Sequence, residues 1–172
     1  MEYSDIIRSR ESIRNYDPDR PVPEKILEKI LNAGRLAPSA CNCQPWKFLL
    51  ISSPMMLDKV RSCYPRAWFK EAPHVLVTVG YRSLAWVRSY DGYNSLETDV
   101  AIALTHIILA AENEGVATCW IAAYDPIKLK NALDLESNME IFGITPLGYP
   151  KPGFSKILIK ERKSLKEIVE FL

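Results

Sequence analysis

Ala37-Pro38-Ser39-Ala40-Cys41-Asn42-Cys43-Gln44-Pro45-Trp46 is the stretch on which the reading of this 172-residue chain turns. It joins a run with helical spacing to a run with strand character, and its polar side chains Asn42 and Gln44 stand two apart. The same spacing recurs upstream in Arg10, Ser12 and Arg14 and near the end in Lys160 and Arg162. In extended backbone, residues two apart share one face. Pro45 disfavours helical geometry at the residue before it, so Gln44 is expected to be extended. Two guanidiniums and a hydroxyl side by side, joined by a lysine and an arginine from the far end of the chain, make a receptor for a phosphate dianion. Arginine forks hold phosphate oxygens in pairs, and a serine hydroxyl adds a further donor.

Outward from this stretch, helices and strands alternate. A short helix is expected from about Ser4, capped by Ser4 and Asp5, ending before an extended segment over 9–14. Pro21-Val22-Pro23 opens the next helix, with Pro23 near the first turn, where a missing N–H does no harm. Ile26, Leu27, Ile30 and Leu31 form its apolar stripe, toward Gly34 and Pro38. Residues 46–53 read as a strand, 54–63 as a helix, and 73–80 as a second strand, apolar enough to be central. Asn94 with Glu97 three residues later reads as a capping box for the longest helix, which runs to Asn113 and stops at Gly115. Val100, Ala103, Leu104, Ile107, Ile108 and Ala111 form one stripe, and Ala101, Ile102, Leu109 and Ala110 carry the apolar character almost all round. Such a helix must be buried, in a core or between subunits. Residues 116–122 and 139–148 read as strands, Asp125-Pro126 begins a helix to Leu133, and 164–171 reads as a short helix or an exchanged arm. The aromatics of 64–93 (Tyr64, Trp68, Phe69, Tyr81, Trp86, Tyr90, Tyr93) fit either a lid over a planar substrate or plain packing. The alternation implies an α/β or α+β sandwich, and the length one domain over 1–172.

Several function classes are disfavoured. A net charge of +1 argues against an electrostatic nucleic-acid binder. No apolar run approaches eighteen residues, and the start at Met1 lacks the basic and apolar regions of a signal peptide, so no membrane role and a cytoplasmic location are the expectations. Cys41, Cys43, Cys63 and Cys119 match neither a C-x-x-C pair nor a zinc knuckle, so no metal is expected. No Ser/His/Asp set or Walker loop is visible, and His74 and His106 read as structural. An anion receptor without acid–base machinery is what an enzyme can look like when its cofactor carries the chemistry.

The elements Arg10-x-Ser12-x-Arg14, Pro38-Ser39-x-x-Asn42-x-Gln44-Pro45-Trp46 and Lys160-x-Arg162, in this order, resemble the nitroreductase family of FMN-dependent oxidoreductases over nearly the whole chain. The resemblance implies an α+β fold with a mainly antiparallel central sheet flanked by helices, homodimeric, with FMN at the interface. It implies that Arg10, Ser12, Lys160 and Arg162 hold the FMN phosphate and that Arg14 reaches the pyrimidine edge, where a positive charge raises the flavin potential. Pro38, Ser39, Ala40 and Asn42 would reach the partner subunit's FMN, and Gln44 would do so or brace the loop. Ala40 stands where the family often has a second serine. Ile121, Ala122 and Ala123 lie in a segment resembling the one whose backbone passes the flavin and donates an N–H toward N5. The implied activity is NAD(P)H-dependent reduction of nitroaromatic, quinone or similar electron-poor acceptors, by a ping-pong hydride mechanism. The alternatives are another flavin reaction on this fold (dehalogenation, dehydrogenation, flavin breakdown) or FMN binding without turnover.

Overall fold

The computed structural model describes residues 1–157 and 159–172. Four strands form one sheet in the order β1-β2-β4-β3, every neighbouring pair antiparallel: β1 (Trp46–Ile51), β2 (His74–Tyr81), β3 (Ala117–Thr118) and β4 (Met139–Gly148). Around it lie α1 (Tyr3–Ser9), α2 (Glu24–Arg35), α3 (Pro54–Arg61), α4 (Ala67–Lys70), α5 (Leu96–Asn113), α6 (Pro126–Leu133) and α7 (Leu165–Ile168).

The apolar reading of β2 explains its place. Residues 74–80 are buried throughout, so both faces must be covered. Val75, Val77 and Val79 point into a core shared with Leu57, Val60, Phe69 and Leu129 on the side of α3, α4 and α6. Leu76 points the other way, with Leu147, into a core filled by Leu27 and Ile30 of α2 and Leu104, Ile107 and Ala111 of α5. The sheet is thus the middle layer between two helical layers.

Helix α5 buries one stripe against α2 and the sheet. Its other face, with Ala101, Ile102, Thr105, His106 and Leu109, joins Tyr3 in lining an open groove of about 630 Å³. Gly115, at φ +71, ends the helix in a left-handed turn that a side chain would strain. No helix among the described residues is long and apolar enough to cross a membrane.

Several local expectations are corrected. Helix α1 starts at Tyr3, with Glu2 as a cap position that makes no side-chain bond, and it takes in Ser9. The capping box of α5 does not form: the Asn94 side chain accepts the Leu96 N–H, but Glu97 turns to Arg82, which also pairs with Glu140. A distant arginine outcompetes the local backbone for that carboxylate. The strand expected over 116–122 shrinks to β3 plus a backbone bridge between Ile121 and Ile144. The aromatic region divides. Tyr64, Trp68 and Phe69 stack edge-on beside α4 as part of the core, whereas 82–95 is an outward excursion with Tyr90 95% exposed.

Candidate functional site

Residues 10–14 behave as their alternation predicts. The Ile13 N–H donates to the Thr118 carbonyl (2.9 Å), and Ser12 bridges Thr118 in parallel, so the segment lies extended beside β3. Ile13 is buried next to Tyr16, and Arg10, Ser12 and Arg14, together with Glu11 and part of Ile13, line a cavity of about 370 Å³. The second wall comes from the far end of the chain, including Phe154, Ser155, Lys160 and Arg162. The structure therefore brings together the five residues of the proposed anion receptor, across about 150 residues of sequence.

The electrostatics of this cavity are unbalanced. Four cationic side chains line it, against one acid, Glu11, whose carboxylate already accepts the Ile157 N–H (3.0 Å). The guanidiniums of Arg10 and Arg14 have no carboxylate partner among the described residues. Lys160 donates to the carbonyls of Arg8 and Arg10 (2.6 Å to the latter), and burial together with the Arg10 charge pulls its pKa down. Clustered, unneutralised cations of this kind favour a multiply charged anion.

Arg10 and Ser12 also line an adjoining cavity of about 240 Å³ with Thr105, Ile108, Leu109, Thr118 and Trp120. Thr105 and Leu109 belong in turn to the groove on α5. The cationic pocket thus leads through an apolar, aromatic-walled space to the open face of α5. Trp120 is the residue missed by sequence reading. It can lie across β4 because Gly143 has no side chain: a Cβ there would meet the indole nitrogen at 2.6 Å. No spacing in the sequence signals that contact. Cys119, buried beside Ser12 and Arg14, has its thiol pKa raised by burial in spite of those two groups, so it is a packed thiol there.

The loop 38–44 lies elsewhere and has another shape. Ala40–Asn42 is a tight 3-10 turn, and Cys41 (φ +49), Asn42 (φ +56) and Gln44 (φ +50) are left-handed. The extended reading of Gln44 is wrong: Pro45 excludes helix, but the chain escapes to positive φ rather than to strand. Side chains hold the turn. The Gln44 N–H donates to Ser39 Oγ (2.9 Å) and Gln44 Nε2 to the Asn42 carbonyl (3.0 Å), so Gln44 braces the loop. The Ala40 N–H donates to Asp99 Oδ1 (2.9 Å), and the buried Asp99 also accepts from Ser95 Oγ (2.7 Å). Pro38, Ser39, Ala40, Asn42 and Gln44 line neither cavity of the Arg10 cluster.

Ile121, Ala122 and Ala123 line neither cavity either. Ile121 is buried, with its N–H and carbonyl both paired to Ile144, which removes its N–H as a donor to any ligand. Ala122 and Ala123 are exposed, and their N–H groups have no backbone partner among the described residues. His74 is structural: its Nε2 accepts the Val22 N–H (3.1 Å), Nδ1 meets Ser52 Oγ (2.8 Å), and burial lowers its pKa. No cluster of potential metal ligands occurs among the described residues.

An antiparallel sheet between helical layers, with a cationic pocket adjoining a cavity walled by Trp120 beside the short edge strand, defines an α+β protein with a polarised cleft. Comparison with known proteins narrows the class. The model of the nitroreductase family matches residues 7–65 and 57–149, and the chain belongs to that family. It is 30% identical, over 97% of its length and 88% of the relative's, to a protein of Methanothermobacter thermautotrophicus provisionally named NADH dehydrogenase/NAD(P)H nitroreductase. Its fold matches the crystal structure of a nitroreductase family protein from Clostridium difficile 630 with a TM-score of 0.88 and 29% identity, covering 99% of this chain and 98% of that one. A further fold match is a Desulfovibrio desulfuricans protein crystallised with FMN: TM-score 0.82, 24% identity, 98% of this chain and 95% of that one.

Proposed function

We propose that this nitroreductase-family oxidoreductase binds FMN and works as a homodimer, taking reducing equivalents from NADH or NADPH and passing them to nitroaromatic, quinone or similarly electron-poor small molecules. The observation that carries the reading is the polarised cavity: Arg10, Arg14, Lys160, Arg162 and Ser12 at one end, Trp120 and the α5 face at the other. FMN has that polarity, a phosphate dianion joined to a planar ring. Arg10, Ser12, Lys160 and Arg162 would hold the phosphate; Arg14 lines that same cavity and not the Trp120 space, and its assignment to the pyrimidine edge, where positive charge would favour the reduced, anionic ring, rests on the family resemblance. When bound, FMN supplies two-electron chemistry that no acid, base or nucleophile of this chain needs to share.

The arrangement along α5 supports the homodimer. Asp99, near its start, holds the 38–44 loop, and the Arg10 cavity meets the helix at Thr105, Ile108 and Leu109, about 9–15 Å further on at 1.5 Å per residue. The open groove runs along this stretch of the helix, from Glu97 to Leu109. Two copies packed antiparallel on this face bring the Asp99 end of one helix to the far end of the other. The loop residues Pro38, Ser39, Ala40 and Asn42 would then complete the partner's site, and by two-fold symmetry the partner's loop would complete this one.

The test is an absorbance spectrum of the purified protein, before and after anaerobic addition of NADH or NADPH. A flavin spectrum that bleaches, and returns when a quinone or nitroaromatic is added, is expected. Bound flavin that stays oxidised with both nicotinamides would leave only a flavin-binding protein.

A further inference from the structure

The two walls of the cationic cavity are linked to each other and, separately, to the body of the protein. Wall to wall, Glu11 accepts the Ile157 N–H, and Lys160 donates to the carbonyls of Arg8 and Arg10. These bonds let both walls move together. The first wall is tied to the body by the Ile13–Thr118 backbone bond, and among the described residues the one side chain of the body that reaches both walls by hydrogen bonds is Glu112, near the end of α5. It is 7% exposed, and its Oε1 accepts from Ser9 Oγ, one residue before Arg10, and from Lys156 Nζ (2.5 Å), which lies between Ser155 and Ile157 of the other wall. One buried carboxylate on an 18-residue helix therefore grips both walls at once. Glu112 itself lines neither the cationic cavity nor the one beside Trp120.

We infer that Glu112 is a positioning residue for the anion site: through Ser9 and Lys156 it sets where Arg10, just before the β3-bound segment, and Lys160 and Arg162 of the other wall stand relative to the Trp120 wall. The inference rests on the flavin reading above. The physical reason is lever-like. A ligand anchored at both ends binds fully only if its anionic and planar subsites keep their spacing, and α5 contributes to both, through Glu112 to one and through Thr105, Ile108 and Leu109 to the other. Loosening the clasp leaves the cations in place but lets them drift.

The experiment compares FMN with riboflavin, which has the ring and lacks the phosphate. Affinities are measured by fluorescence titration on the wild type, Glu112→Gln, Lys156→Met and the double variant. Glu112→Gln is expected to weaken FMN by about tenfold, the low end of what supporting contacts contribute in metal sites, while riboflavin affinity moves little. Lys156→Met, with its side chain 35% exposed, keeps the test valid should Glu112→Gln fail to fold. The double variant should bind FMN no worse than the weaker single one, because both act through one contact. Equal losses for FMN and riboflavin would mean a merely structural role and overturn the inference, as would unchanged FMN affinity. If the wild type bound no FMN, the flavin reading would fall. The clasp would then be judged with inorganic phosphate, which must bind the wild type more tightly than Glu112→Gln.

Discussion

Residues 10–14 and 38–44 look alike as sequences and differ as structures. Both carry polar side chains two apart, which read as one face of extended backbone. Residues 10–14 are extended because β3 lies alongside to take the Ile13 N–H and because Ile13, on the opposite face, is buried. Residues 38–44 have no strand beside them. The Ala40 and Gln44 N–H groups go to the Asp99 and Ser39 side chains, those of Asn42 and Cys43 turn back to the Ser39 and Ala40 carbonyls, and the chain folds into a left-handed turn. Alternation implies extension only where a neighbouring strand and a core share out the two faces.

The contrast predicts where stability resides. Ile13→Ala should cost about 2–5 kcal/mol, the range for truncating a buried isoleucine, whereas Asn42→Gly should change stability by less than about 1 kcal/mol, since glycine accepts the left-handed φ. Urea denaturation of the two variants checks this; similar losses would erase the distinction.

Ligand affinity should divide the same way. Arg10→Ala and Arg162→Ala are each expected to weaken FMN by about 1.5–3 kcal/mol, the value of a charge-assisted hydrogen bond. Arg14→Ala should instead lower the flavin potential more than the affinity. Titrations paired with potentiometry would refute this division if all three behaved alike.

A mixing experiment asks whether the two regions meet across a dimer. Arg10→Ala damages the cavity, and Asp99→Ala releases the loop by removing the acceptor of the Ala40 N–H. If each site takes its cavity from one subunit and its loop from the other, coexpressing both variants restores roughly a quarter of the sites under random pairing. No recovery beyond the average of the two would place loop and cavity in separate roles.

The smallest effect concerns His74, which ties the segment leading into α2, and so toward the 38–44 loop, to the sheet. Burial keeps its pKa below the ordinary 6.5. Below that pH the unfolded chain takes up a proton that the native state declines, so stability falls with pH, by at most about 1.4 kcal/mol per unit. Unfolding midpoints between pH 7 and 5 should show this slope, and His74→Gln should flatten it.

The amino-acid sequence by itself determined the order of helices and strands, the central place of β2, the nearly all-round apolar α5 and the alternation of Arg10, Ser12 and Arg14. Each of these rests on periodicity or on a residue's own chemistry, which neighbours in the chain suffice to express. That Lys160 and Arg162 join those three was implied by the family resemblance, and the fold brings them together. Tertiary structure alone decided the turn at 40–44, the diversion of Glu97 to Arg82, the short β3, the Trp120 wall and the Glu112 clasp. Most of these depend on partners distant in the chain, such as Asp99 for Ala40, 59 residues away, and Ser9 for Glu112, 103 residues away. A buried donor or carboxylate takes the partner that packing brings to it, and packing is a property of the whole fold.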